Sequence, residues 1–214
     1  MYAVVSLNDE KYQPLADLTW NQNKQQYCER HGYLGINWTS GFDKNITGGF
    51  ERCRLIKELF ETQKEVEWVW WTGCDAMITN FTIKIEDKIL PDYDLIIATD
   101  CNEINNDSFL IKNTAWSKKW LQDIYNSWPK YKTAMFLEQQ AMIDSYPDNK
   151  DKIKIVPQRY LNAYKNDLYP HQSKYDLLGN DGTWQNSDWL IHWPGTSLDL
   201  RLQLARHFMN EVVK

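Results

Sequence analysis

The chain has 214 residues, 43% hydrophobic and 25% charged, values that fit one globular domain spanning 1–214 with a real core. Its net charge of −5, with no Lys/Arg cluster able to track a phosphate backbone, argues against nucleic acid as a partner. No stretch approaches the ~20 consecutive apolar residues of a membrane span.

The elements alternate along the chain. Tyr2–Leu7 is an apolar run that predicts a first strand, followed by a polar stretch with a helix expected over 17–30 and a breaker at His31-Gly32. A second strand is expected over 33–37. A loop over 41–49 leads into a helix whose apolar residues Phe50, Cys53, Ile56, Leu59 and Phe60 recur at helical spacing. Residues 66–71, apolar, β-branched and aromatic apart from Glu67, bear the mark of a strand covered on both faces. Further strands are expected over 94–98 and 108–112, and helices over 117–128, Leu137–Ser145 and 198–213. Strand and helix in alternation predict an α/β fold, an open, mostly parallel sheet flanked by helices.

Four cysteines, Cys28, Cys53, Cys74 and Cys101, contain no Cys-x-x-Cys pair, so neither a zinc site nor a disulfide framework is expected. With no basic-then-apolar leader, the chain reads as a reduced, cytoplasmic protein. Aromatic residues are abundant, 11 Trp and 12 Tyr, and suit sugar faces as well as cores.

In open α/β sheets ligands sit beyond the carboxyl ends of the strands. The run 66–71 leads to Thr72-Gly-Cys-Asp75, and a carboxylate there suits a hard divalent cation bridging to a diphosphate. Near the C-terminus an apolar run delivers His192, followed by a Gly195 turn whose backbone N–H groups could approach phosphate. Carboxylate and imidazole together fit Mn²⁺ better than Ca²⁺. By spacing alone Asp75 can equally be a turn residue and His192 a satisfied core histidine.

The segment Val66-Glu-Trp-Val-Trp-Trp-Thr-Gly-Cys-Asp-Ala-Met-Ile-Thr-Asn80 resembles the signature strand of glycosyltransferase family 34, a Trp-Trp strand running into Asp-x-Asp-Ala. That family includes plant xyloglucan xylosyltransferases and yeast galactosyl- and mannosyltransferases. Six further segments, beginning at Lys24, Phe50, Asn105, Glu138, Val156 and His192, are similar to its motifs and follow in the same order. The resemblance implies a GT-A fold, a UDP-sugar donor, Mn²⁺ (or Mg²⁺), a carbohydrate or glycoconjugate acceptor and retention of the α-anomer. By position it implies Asp75 and His192 as metal ligands, and Ser6 and Leu7 against the nucleotide. It also implies Arg52 near the donor, Asn105 in the donor-sugar pocket, and Glu138 and Gln139 beside the reacting carbon. Even with the resemblance, Glu138 reads equally as a charge at a helix N-terminus.

Three positions depart from the pattern. Gly73 replaces the first acid of Asp-x-Asp, Asp107 replaces a glycine, and Ser197 stands where a lysine often meets the diphosphate. Losing charge at 73 and 197 raises an alternative, a nucleotide-sugar or glycan binding protein with little turnover. Trp184, Trp189 and Trp193, in the polar C-terminal stretch, are candidates for acceptor contact, whereas 198–213 reads as packing.

Overall fold

The computed structural model describes residues 1–43 and 45–214, so position 44 of the expected 41–49 loop lies outside the described residues. Its strands in chain order are β1 (Tyr2–Leu7), β2 (Leu34–Trp38), β3 (Trp68–Thr72), β4 (Ala76–Ile78), β5 (Leu95–Asp100), β6 (Glu103–Lys112), β7 (Ile153–Val156), β8 (Ala163–Tyr164) and β9 (Leu190–His192). Six of them build a sheet in the order β2-β1-β3-β6-β5-β7, in which only β6 runs against the rest. The remaining three form a small sheet, β4-β9-β8.

Strand alternation divides the core into two layers. Ala3 and Val5 of β1 and Val69 and Trp71 of β3 pack under the helices Gly48–Thr62, Ala115–Asn126 and Leu137–Ser145. Val4, Trp68 and Trp70 face the other way, onto Trp20, Tyr27 and Cys28 of the helical segment 13–31 and onto Trp189. Both faces are covered, which is why 68–71 carries no polar residue; the strand expected over 66–71 begins only after the exposed Glu67. In Gly48–Thr62 the buried Phe50, Cys53, Ile56, Leu59 and Phe60 are the residues whose spacing predicts that helix.

Helix boundaries follow local chemistry. Thr114 accepts from the Ser117 N–H at 3.1 Å, so the helix expected over 117–128 starts earlier and ends at Asn126. Segment 13–31 closes on Gly32, whose φ of +70° lets its N–H reach the Cys28 carbonyl. A Cβ there would meet nothing within 4 Å, so Gly32→Ala should cost only the left-handed strain, about 1 kcal/mol, or ~2–4 °C in Tm. A melt with no loss, or a loss several times larger, would contradict this.

Two expectations need correction. The helix expected over 198–213 stops at Phe208, because Val213 is drawn into strand pairing: its N–H donates to the Thr79 carbonyl and its carbonyl accepts from Phe81 N–H, each at 2.8 Å. β-Branched Val212 and Val213 suit that extended conformation. The strand expected over 108–112 begins at Glu103, and its register against β5 slips from Ile97↔Phe109 to Ala98↔Asn105. Residues 106–108 thus bulge off β5, and Ser108 pairs with Thr72 of β3 instead. Among the described residues no helix is long and apolar enough to cross a membrane.

Candidate functional site

Asp75 leaves the carboxyl end of β3 and stands one residue before β4. β4 pairs antiparallel with β9 so that Ala76 lies opposite His192, and Trp193 N–H donates to the Asp75 carbonyl at 3.1 Å. That ladder brings His192 Nε2 to 3.5 Å from Asp75 Oδ1. The β6 bulge adds a third group, with Asp107 Oδ2 at 3.1 Å from the same nitrogen. One donor atom from each of Asp75, Asp107 and His192 lies within 4.8 Å of the others. His192 is only 2% exposed, and its Nδ1 has no hydrogen-bond partner among the described residues.

Among the described residues, three cations surround this cluster. Arg201 Nη2 sits 2.7 Å from Asp75 Oδ2 and its Nε donates to the Trp193 carbonyl. Arg52 Nη1 lies 3.7 Å from Asp107 Oδ1. Lys24 is fully buried and donates to the carbonyls of Gly73 at 2.8 Å and Ala76 at 2.6 Å, gripping the turn that holds Asp75. It can do so because Asp17–Lys24 is π-helical, with Gln25 N–H reaching back to the Trp20 carbonyl. The wider turn points Thr19, Asn23 and Lys24 the same way. Thr19 then bonds the Cys74 carbonyl at 2.7 Å, and the Asn23 amide pairs with both backbone groups of Ile78.

The titrating groups pull on one another. Burial opposes ionisation of Asp75, but the His192 charge and hydrogen bond and the Arg201 guanidinium outweigh it and hold that carboxyl well below the usual carboxylate range. Burial, helped by the Asp75 charge and resisted by His192, pushes Asp107 up to about 6. Burial weakens His192 as a base, yet the Asp107 and Asp75 carboxylates more than offset this and raise it. Burial brings Lys24 down to about 8. One carboxyl of the pair is thus held ionised while burial and its neighbour disfavour charge on the other, the split expected where two carboxylates share a site.

Asp75, Asp107, Leu7, Arg52 and Glu138 line a cavity of ≈ 640 Å³. Glu138 Oε1 accepts from Arg52 Nη2 at 2.5 Å and from Asn106 Nδ2 at 3.1 Å. Just before it, Leu137 holds φ at +48°, a left-handed conformation uncommon outside glycine. Asn105, Gln139 and Gly195 line a second cavity of ≈ 310 Å³ with Tyr164 and Tyr169. Asn105 spends its amide internally: Nδ2 donates to Asp100 and Tyr164, and Oδ1 accepts from Asn162 and from the Asp107 backbone. Ser6 is 1% exposed, its hydroxyl unpartnered among the described residues, and it lines neither cavity.

Apart from Ser6, the sequence-predicted residues therefore divide between two cavities, with His192 buried beside the first. Lys24 and Arg201 escaped sequence reasoning because each lies in a helical stretch with an ordinary polar pattern. Asp107 stood out only as a departure. Ser197 caps the Leu198–Phe208 helix by accepting from Leu200 N–H. The acceptor-contact expectation fails for two tryptophans: Trp189 is 1% exposed and stacks on Trp70 at 3.9 Å, and Trp193 is fully buried. Trp189 packs against the six-stranded sheet, and Trp193 packs between the small sheet and the Leu198–Phe208 helix. Trp184 is half-buried, edge-on to Phe208, with its Nε1 donating to Thr79.

A family model described as the galactosyl transferase GMA12/MNN10 family matches residues 4–95 and 91–195. An uncharacterised α-1,2-galactosyltransferase of Schizosaccharomyces pombe is 29% identical over 186 residues, covering 67% of this chain and 49% of the relative. A Saccharomyces cerevisiae protein named as a probable α-1,6-mannosyltransferase is 24% identical over 67% of this chain and 46% of its own length. An Arabidopsis thaliana protein named as a probable xyloglucan 6-xylosyltransferase is 28% identical over 50% and 24%. The chain thus spans half or less of these relatives. Among solved structures, a glycosyltransferase involved in the glycosylation of the major capsid of PBCV-1 superposes with a TM-score of 0.78 at 17% identity, covering 96% of this chain and 98% of that one. The galactosyltransferase LgtC gives 0.64 at 14% identity, over 98% and 94%. With its motifs in order and its sheet of the GT-A type, the chain belongs to the galactosyl transferase GMA12/MNN10 family, glycosyltransferase family 34.

Proposed function

We propose that this chain transfers a hexose or pentose from a UDP-sugar to a carbohydrate or glycoconjugate acceptor, with retention, using Mn²⁺ (or Mg²⁺) held by Asp75 and His192. The observation that carries this reading is their approach to 3.5 Å beside a ≈ 640 Å³ cavity whose other walls hold Leu7, Arg52 and Glu138. Carboxylate oxygen and imidazole nitrogen suit Mn²⁺. When bound, the cation offsets charge on the leaving diphosphate.

The remaining chemistry belongs to side chains. Arg201 follows Ser197 by one helical turn and brings a guanidinium to Asp75, so the site has a positive charge although position 197 offers none. Glu138 is engaged by Arg52 and Asn106 through Oε1. A carboxylate that shares its charge with a guanidinium is a weakened nucleophile. We therefore assign same-face attack on a short-lived ion pair, with Glu138 opposing the positive charge of an oxocarbenium-like transition state. We assign the second cavity, lined by Gln139, Asn105 and Gly195, as the space for sugar and acceptor, with Asn105 acting through its bond from the Asp107 backbone N–H.

A thermal-shift series with UDP-glucose, UDP-galactose, UDP-xylose and GDP-mannose, with and without Mn²⁺, tests the reading alongside UDP release. UDP compounds should raise Tm only with metal, and UDP should appear when acceptor is supplied. Equal shifts in EDTA would remove the metal, and binding without any release would favour the binding-protein alternative. Glu138→Gln separates the two routes: a field role predicts a kcat loss of about 10²-fold. A far deeper loss, rescued by azide as an external nucleophile, would make Glu138 the covalent nucleophile instead.

A further inference from the structure

We propose that Gly73 and Asp107 are an exchanged pair: the carboxylate missing at 73 is delivered from 107, across the β3–β6 ladder, as a third protein ligand for the cation. The inference rests on the metal-dependent reading above. Three observations carry it.

The first is position. Gly73 N–H donates to the Asp107 carbonyl at 3.0 Å, next to the Thr72↔Ser108 pair, so the two residues face each other where β3 and β6 part. The second is volume. A Cβ on residue 73 would lie 2.1 Å from Asp107 Oδ2, 2.5 Å from Oδ1 and 2.6 Å from Cγ. The Asp107 carboxylate therefore fills the space where a side chain at 73 would begin, and any residue there except glycine would have to displace it. The third is aim. Asp107 Oδ2 stands 3.1 Å from Nε2 of His192, an imidazole 2% exposed, and has no hydrogen-bond partner of its own among the described residues.

A bland role for Asp107 would be counter-ion to Arg52, but that contact is 3.7 Å, and Arg52 turns its shorter bonds to Glu138 and to the Gly49 carbonyl. The bulge at 106–108 fits the same account. It takes Asp107 off the β5 ladder and leaves it at the end of β3, where a first acid on β3 would otherwise project. The two departures from the family pattern thus become one substitution made in two places. A variant at either position alone leaves the site with one carboxylate too few or two in collision.

The test is Mn²⁺ titration followed by the EPR signal of the free ion, alone and with UDP, with Tm and circular dichroism as folding controls. Asp107→Asn keeps the shape and should weaken Mn²⁺ at least ~10-fold. Gly73→Asp alone should lower Tm through crowding, and the double variant Gly73→Asp/Asp107→Gly should regain most of the Mn²⁺ affinity that Asp107→Gly loses. Wild-type affinity in Asp107→Asn, with Asp75→Asn binding none, would overturn the exchange and leave the Asp75–His192 reading standing. A folded double variant no better than Asp107→Gly would also overturn it. A wild-type protein that takes up no Mn²⁺, with or without UDP, would end both readings together.

Discussion

Asp75→Asn is expected to abolish the Mn²⁺-dependent rise in Tm given by UDP and to lower transfer by about 10³-fold, because the cation loses its central carboxylate. In the wild type, Mn²⁺ and UDP at a hundredfold excess over Kd should add about 2.7 kcal/mol of stability. The variant should show none of it. A second effect must be kept apart from the first: Arg201, bonded to Asp75 Oδ2 at 2.7 Å, loses a charged partner. A hydrogen bond to a charged group contributes about 2 kcal/mol, so the metal-free variant should melt ~4–8 °C lower. Melting both proteins in EDTA measures that structural cost alone. A variant that still shows the metal-dependent shift would remove Asp75 from the site.

Lys24→Met should have the largest effect among residues that face neither cavity. The ammonium satisfies the Gly73 and Ala76 carbonyls in a place closed to water, and methionine fills much of the volume without replacing either bond. Two buried acceptors left open, partly offset by no longer burying a charge, should cost about 2–4 kcal/mol. That corresponds to a fall in Tm of roughly 5–15 °C. The carbonyls flank Asp75, so Mn²⁺ affinity should fall too, although Lys24 reaches the cation only through the turn it holds. Wild-type melting together with wild-type Mn²⁺ binding would show that the 73–76 turn keeps its shape unaided and that the π-helical turn has another purpose.

The Asp107 exchange and the Arg201 placement bear on the same question, how a site keeps its charges when its motif lacks them. Gly73 and Ser197 read singly as losses, and they motivate the binding-protein alternative. In three dimensions a carboxylate from β6 stands beside the first and a guanidinium one helical turn past the second. The carboxylate comes from a strand remote in sequence from position 73, and the guanidinium from the same helix that Ser197 caps. A linear motif compares each position only with itself and records no such compensation.

What the sequence alone determined is local. The apolar and aromatic residues of 66–71, interrupted only by Glu67, marked a strand buried on both faces, the spacing of Phe50, Cys53, Ile56, Leu59 and Phe60 required one helix face, and Leu137–Ser145 has the bounds expected of it. Asp75 beyond β3 and His192 at the end of an apolar run were legible as chemistry-bearing ends, because a polar residue at the end of a buried strand interrupts a simple pattern. Only the tertiary structure decided that these ends meet, since the β4–β9 register couples three-residue strands too short to carry a period of their own. It likewise decided that Trp189 and Trp193 are core, that Val213 pairs beside β4, and that Asp107 and Arg201 enter the site. Periodicity reports which face of an element avoids water. Which partner covers that face depends on long-range packing, to which no single segment of the chain has access.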